Sequence, residues 1–230
     1  GEMKISIITP WHNCPELIPD YAAAVFTSTH VWPGLGVYYP MQLIIIDNAS
    51  DAETAEKLKE LATRKVAENN DGVYIRNDEN KGFAYANNQG LAAATGDIVV
   101  FLNSDVRAHD DWKDLVAQAK PGTLYSPSYG WRMVDGTPLL YLEGWCLFGH
   151  RADFERIGGW NDKDFPKPYW EDNELCWRAS RAGLSLKQVL DFPLEHLSNY
   201  TSSRTPGAYE ASMANQAVFE RIVREGRNAL

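Results

Sequence analysis

No apolar run in this chain is long enough to cross a membrane, and nothing near its start resembles a signal peptide. These absences predict a cytoplasmic protein, with Met3 as the expected native start behind Gly1 and Glu2. Cysteine is scarce. Cys14, Cys146 and Cys176 are far apart and odd in number, and no Cys-x-x-Cys pair occurs, so neither a disulfide framework nor a thiolate zinc site is expected. Glycine-rich phosphate loops are missing too. No Gly-x-Gly-x-x-Gly follows the first apolar stretch and no Walker-type loop occurs, which speaks against a dehydrogenase and a P-loop ATPase. Positive charge is in deficit: 22 Lys and Arg face 31 Asp and Glu, a formal charge of −9. A broad electrostatic grip on nucleic acid or on an anionic membrane is therefore not expected. A phosphate-bearing ligand would need local donors or a metal ion.

What is present is a βα alternation. The 230 residues are 44% hydrophobic, enough for one large domain with a proper core. Residues 98–102 form an unbroken apolar run rich in β-branched side chains, the pattern of a strand buried on both faces. The run stops at Asn103-Ser104-Asp105. These residues suit a plain turn. They equally suit a ligand edge, because ligands of open α/β sheets bind beyond the carboxyl ends of the strands. Residues 4–9, 41–46 and 73–76 read as further strands, with 69–72 as a turn. Helices are expected over 15–29, over 52–68 with Ser50 or Asp51 as cap, and over 83–95, closed by Gly96 as a left-handed cap. The order β-α-β-α-β-α-β predicts a Rossmann-like, mostly parallel sheet flanked by helices. Its strands end in polar residues at 9–13, 47–50, 76–81 and 103–105, which together make a binding crevice.

Four segments, in order, carry a family resemblance. Ile-Ile-Thr-Pro-Trp-His-Asn (7–13), Ile-Ile-Asp-Asn-Ala-Ser-Asp (45–51), Asn-Lys-Gly-Phe-Ala-Tyr-Ala-Asn-Asn-Gln-Gly-Leu (80–91) and Gly-Asp-Ile-Val-Val-Phe-Leu-Asn-Ser-Asp (96–105) resemble family 2 glycosyltransferases of the GT-A fold. With the second-half motifs below, the likeness covers residues 4–196. It implies a nucleotide-sugar-dependent, inverting transferase. Thr9, Pro10, Trp11 and Asn13 would lie beside the nucleoside, Asp47 would bind the base, and Lys81 and Asn88 would line the same pocket. Asn103-Ser104-Asp105 occupies the family's Asp-x-Asp position, with Asn in place of the first acid. Asp105 is then the carboxylate for a divalent metal, Mn²⁺ or Mg²⁺, while Asn103 and Ser104 reach the ribose or a metal-bound water. Read as residues alone, Trp11 equally suits the core, Asp47 a turn, Lys81 a solvated loop and Asn88 helix packing.

The second half predicts a short helix at 110–119 with acids at its start, short strands and turns over 123–142 as a smaller mixed-sheet extension, a helix at 151–157 and a strand at 186–190. A helix over 171–182 opens with Glu171, Asp172 and Glu174, which suits its dipole. The same resemblance makes Asp172 the catalytic base and Glu171 a ligand of acceptor hydroxyls. Trp145 and Trp170 are either walls for a sugar ring or core residues. His196 would close the metal shell with Asp105, an oxygen and nitrogen set that suits Mn²⁺. Residues 197–207 read as a lid bearing Arg204 toward phosphate. Residues 209–224 read as an amphipathic helix whose Met213, Ala217, Val218, Phe219, Ile222 and Val223 face the core or a second copy in a homodimer. The expected division is 3–105 for the nucleotide sugar, 106–196 for acceptor and catalysis, and 197–230 for loop and final helix, within one GT-A domain. The expected donor is a UDP-sugar and the expected acceptor a hydroxyl of a glycan or glycolipid. Two rivals stand: a nucleotidyltransferase, whose basic Gly-rich loop residues 10–15 lack, and a degenerate binding protein, which Asn103 favours.

Overall fold

The computed structural model describes residues 3–26, 39–64, 70–197 and 207–228. Four parallel strands carry the first half: β1 (Ile5–Trp11), β2 (Met41–Asn48), β3 (Asn70–Asn77) and β4 (Ile98–Leu102), side by side in the order β4-β1-β2-β3. Every residue of β2 and β4 is buried. That is why these strands read as continuous apolar runs rather than as alternating ones. The pleat deals their side chains into two layers. Ile7, Ile45 and Val100 enter one core, and Ile8, Ile44 and Phe101 enter the other. The crossovers are α1 (Ile18–Phe26), which follows a 3-10 turn at Pro15–Leu17, then α2 (Ala52–Thr63) and α3 (Phe83–Ala93). Asp51 caps α2, its carboxylate accepting the Thr54 amide at 2.9 Å.

The second half extends the sheet to the order β10-β6-β9-β4-β1-β2-β3. Here β6 is Thr123–Ser126, β9 is Cys146–His150 and β10 is Ser185–Gln188. β9 runs antiparallel to both β4 and β6. Two ribbons flank the sheet. β5 (Val106–Ala108) pairs antiparallel with β11 (Leu194–His196), and β7 (Tyr129–Val134) forms a hairpin with β8 (Thr137–Leu142). The remaining helices are α4 (Lys113–Ala117), α5 (Arg151–Arg156), α6 (Glu171–Arg181) and α7 (Ala208–Asn228). On α7, Phe219 and Val223 pack into the chain's own third core cluster with Val134 and Phe165, while Met213 stays exposed.

Three expectations are corrected. The third strand begins at Asn70, not 73, because pairing with Met41 and Gln42 of β2 overrides the turn chemistry of Asn-Asp-Gly. Residues 146–150, for which the sequence predicts no element, form a central strand. Gly96 is not a left-handed cap: α3 already ends at Ala93, with Ala94 extended. Glycine is needed at 96 for close approach. Its amide donates to Ser6 Oγ at 2.8 Å, and a Cβ would sit 2.6 Å from the Ser6 nitrogen and 2.8 Å from the Lys4 carbonyl. Those are main-chain atoms of β1 and the residue before it, which cannot move aside alone. Gly96→Ala should therefore cost about 1–3 kcal/mol, as overpacking does. Thermal melting should show a drop of several degrees, and an unchanged melting temperature would refute the close-approach account.

Candidate active site

The four polar strand ends lie along the carboxyl edge of the sheet, and side-chain bonds lock those of β1, β2 and β3 together. Asn13 and Cys14 after β1, and Ala49 after β2, all have positive φ. The Asn13 amide donates to Ser50 Oγ at 2.9 Å, and Asn13 Oδ1 accepts the Asp51 amide at 2.9 Å. Asn48 Nδ2 donates to the Gly82 carbonyl at 3.2 Å and Asn48 Oδ1 accepts from Asn77 at 2.8 Å, tying in both ends of the β3–α3 loop. Asp47 is fully buried at the end of β2. Its Oδ2 accepts from the Tyr74 hydroxyl at 2.6 Å and from the Arg76 guanidinium, and its Oδ1 accepts the Ser50 amide at 2.9 Å. Burial pushes the Asp47 pKa up. The hydrogen bonds from Tyr74, Ser50 and Arg76 outweigh it and hold the carboxyl below its usual range. Arg76, its side chain 41% exposed, is thus a fixed cation at the mouth of the crevice. The sequence marks Arg76 only as part of a polar strand end, and nothing in it signals this cross-strand partner.

Several expected donor-side residues have other duties. Trp11 is 2% exposed, packs edge-on to Tyr21 at 5.1 Å and donates its indole N–H to the Asn13 carbonyl at 2.6 Å. Its ring serves the core and offers no face to a base. Thr9 is buried and bonded to the Tyr21 hydroxyl. Pro10 is half-buried on β1 beside Ile46. Lys81 sits on the loop before α3, ion-paired to Glu79. Asn88 does not line the crevice. Its amide bonds both the nitrogen and the carbonyl of Trp160 at 2.8 Å, fixing the turn at Gly159, where a Cβ would lie 2.5 Å from Asn88 Oδ1.

The second half brings a different set together. Ser104 and Asp105 are buried where β4 ends, and Asn103 is half-buried, its main-chain N–H donating to the Trp145 carbonyl at 2.8 Å. The β5–β11 pairing sets His196 opposite Val106, and His196 Nε2 lies 3.2 Å from Asp105 Oδ1. The Trp145 ring stacks on the His196 imidazole, centroids 5.0 Å apart and planes nearly parallel at 3°. One residue earlier, the Gly144 amide donates to Asp172 Oδ2 at 3.1 Å, while Asp172 Oδ1 accepts the Asn173 amide at 2.9 Å. The short stretch 144–145 therefore touches both the Asp105–His196 pair and Asp172. A cavity of about 400 Å³ opens beside it, lined among others by Ser128, Glu143, Trp145, Gln188, Asp191 and His196.

Asp172 occupies the first turn of α6. Burial pushes its pKa from 3.8 up to about 6, against the two main-chain hydrogen bonds, with Glu143 adding to the rise and Arg132 opposing it. Two left-handed non-glycine residues, Tyr169 and Trp170, immediately precede the helix. Such backbone persists only where its surroundings hold it, and it clusters at functional sites. Asp172 lies behind the Glu143–Trp145 wall of the cavity rather than in its lining, and Glu171 and Trp170 do not reach it either. Glu171 is 4% exposed and its carboxyl is held well above the ordinary range by burial. Trp170 packs on Phe219 at 5.6 Å and donates to Ser212 Oγ at 3.2 Å. The expected lid over 197–207, with Arg204, lies outside the described residues except for its two ends.

Asp105 and His196 fit a hard or borderline cation. They offer one anionic oxygen and one imidazole nitrogen, the donor types of Mn²⁺ or Mg²⁺ rather than of a thiolate metal. Adjacent ligands of an octahedral ion with bonds of about 2.1 Å stand about 3 Å apart, close to the 3.2 Å between these two atoms. Among the described residues no third Asp, Glu, His or Cys joins them. Water and phosphate oxygens would complete the shell.

Known proteins share the sequence family and the fold. Residues 6–139 match the family described as Glycosyl transferase family 2. A putative teichuronic acid biosynthesis glycosyltransferase, TuaG of Bacillus subtilis (strain 168), is 32% identical over 143 residues, covering 59% of this chain and 50% of that protein. The chain thus spans about half the length of that relative. Among solved structures, the mannosyltransferase PcManGT from Pyrobaculum calidifontis, in complex with GDP-Man and Mn²⁺, superposes with a TM-score of 0.65 at 18% identity, over 87% of this chain and 59% of its own. GalNAc-T7 with UDP, GalNAc and Mn²⁺ gives 0.65 at 15% identity, over 85% and 44%. These likenesses establish the GT-A fold, and the family match over more than half the sequence settles membership: this chain belongs to glycosyl transferase family 2.

Proposed function

We propose that the protein moves a sugar from a nucleoside-diphosphate sugar, most naturally a UDP-sugar, to a hydroxyl of a glycan or glycolipid, with inversion. The observation that carries this reading is the 144–145 stretch, which joins a cation-ready Asp–His pair, whose His196 lines the cavity, to a carboxylate of raised pKa just behind the cavity wall. The ligands of the two solved GT-A neighbours, GDP-Man or UDP with Mn²⁺, support the donor class. Residues 3–105 would hold the nucleotide, with Arg76 and the loops at 48–51 and 77–82 around it. Residues 106–196 would hold the acceptor.

In this mechanism the Gly144 and Asn173 amides orient the Asp172 carboxylate, leaving its other lone pairs for a proton. The acceptor hydroxyl forms the new bond to the anomeric carbon as Asp172 takes its proton. The bond to the diphosphate breaks on the opposite face of the ring, and its electron pair leaves with the phosphate. One displacement and one base give inversion. Asp105 and His196 would hold a divalent ion, which as a Lewis acid neutralises charge on the departing diphosphate. Trp145, stacked on the imidazole, sets the orientation of its ring. The reading includes a cytoplasmic location, consistent with the buried thiols of Cys146 and Cys176. A homodimer through α7 remains part of it, with Met213 on the exposed side of that helix.

The test is a thermal-shift screen of UDP-, GDP- and dTDP-sugars with and without Mn²⁺. A ligand at 100 times its Kd adds about 2.7 kcal/mol, read as a rise of several degrees in melting temperature. A shift that needs both nucleotide and metal supports the donor assignment. No shift with any of them would end it, and donor turnover then separates a transferase from a pure binder.

A further inference from the structure

The apolar surface that the proposed mechanism leaves unused lies on the β7–β8 hairpin. Along β7 successive side chains point to opposite faces, although Arg132 is exposed along with Tyr129, Trp131 and Met133. The inner face carries Val134 in the third core cluster, Gly130 pressed against the Tyr141 ring, and Arg132. The Arg132 guanidinium lies 5.1 Å from the centre of Tyr141 and 5.0 Å from that of Trp170. The outer face carries Tyr129, Trp131 and Met133, exposed by 46%, 54% and 62%. They are three of the seven exposed large apolar residues among those described, and they stand in one row. Tyr129 and Trp131 meet edge to face at 6.5 Å. Leu140 and Pro138 of β8 lie opposite Trp131 and Met133.

The row starts at the cavity. Ser128, one residue before Tyr129, lines the cavity and accepts the Trp145 indole N–H at 3.2 Å. The far side of the hairpin is clamped to Trp170, two residues before Asp172. A ligand lying along Tyr129, Trp131 and Met133 would thus be fixed relative to the proposed base.

We infer that this outer face is a track for the acceptor chain, so that the acceptor is an oligosaccharide or longer glycan rather than a single sugar. The inference rests on the transferase reading above. From Tyr129 to Met133 the row runs about 13 Å at about 3.3 Å per residue, the span of a few linked sugar rings. Pyranose rings present an apolar C–H face to an aromatic ring and keep their hydroxyls in water, the use to which amphipathic aromatics are suited. A protein partner needs roughly 20–30 residues a side, far more than this row. An anionic membrane would want flanking Lys and Arg, but the basic residue of β7, Arg132, is on the inner face of a chain with formal charge −9.

The test uses cello-, chito- and malto-oligosaccharides of one to six units as probes, titrated by calorimetry in the presence of UDP and Mn²⁺. Affinity should rise about tenfold or more between two and five units in at least one series, as one or two added stacking contacts imply. Trp131→Ala should remove that rise and Trp131→Phe should restore most of it. UDP binding should not change in either variant. No length dependence in any series, or one that Trp131→Ala leaves intact, overturns the inference. Loss of vesicle sedimentation or of a dimer in Trp131→Ala, without a change in glycan affinity, overturns it in favour of a lipid or a second copy. If UDP fails to bind the parent protein, the transferase reading itself has failed, a result distinct from all of these.

Discussion

Asp172→Asn is expected to slow sugar transfer by about 10² to 10⁴, the usual worth of a general base, while nucleotide binding stays intact. The proposed role also fixes the pH behaviour of the parent enzyme. Burial lifts the Asp172 pKa to about 6, so the carboxylate is ionised and competent above that pH. The kcat/KM profile should fall about tenfold per pH unit below about 6. Stability should move the other way. Because the folded protein holds this proton more tightly than the unfolded chain does, stability from this group is complete below about 4 and is lost as pH rises through about 6. The difference between 3.8 and about 6 is worth at most about 3 kcal/mol, and Asp172 is only half-buried. Asn cannot ionise, although it forfeits one of the two main-chain hydrogen bonds, a loss of about 1 kcal/mol. The variant should therefore outlast the parent at pH 8 by about 1–2 kcal/mol and show no gain near pH 4. A variant that transfers sugar at the parent rate would sink the assignment. A gain in stability that ignores pH would sink its electrostatic basis.

That one residue is expected to carry both the largest functional effect and a local instability bears on what the sequence reveals. Asp172 stands out because it opens a helix among aromatic and acidic neighbours, and α6 begins where expected. The parallel half of the sheet is equally visible, because strands buried on both faces cannot hide polar residues except at their ends. What escapes is whatever depends on distant pairing. β5 and β11 are three residues each and exist only as partners. β9 lies between two strands that precede it in the chain, and nothing local announces an antiparallel insertion. The Trp145–His196 stack joins positions far apart in sequence. Asn88 and Trp11 show the opposite error. Each stands in a motif that suggests a ligand, yet Asn88 spends its amide on the Trp160 main chain and Trp11 buries its ring beside Tyr21.

Removing the Asp105 carboxylate tests the other half of the site. Asp105→Asn keeps the shape of a residue that is 1% exposed, so the fold should survive. Only the charge beside His196 Nε2 is lost. In an acidic protein that charge is an obstacle to a bare diphosphate and an asset only with a cation between them. The variant should therefore bind UDP at least about 10²-fold more weakly than the parent in Mn²⁺, and adding or chelating Mn²⁺ should no longer alter its affinity. His196→Gln, which takes away the nitrogen donor but leaves the carboxylate, should weaken the Mn²⁺-dependent part less, since the anionic ligand contributes the larger share of the attraction. Calorimetry with UDP, with and without Mn²⁺, reads both. Asn103 makes the outcome decisive: with an amide where the family's first acid would stand, Asp105 is the one acidic side chain of the 103–105 triplet. Mn²⁺-dependent binding that persists in Asp105→Asn would mean that any cation is held elsewhere and that the Asp105–His196 pair is a structural contact under the Trp145 ring.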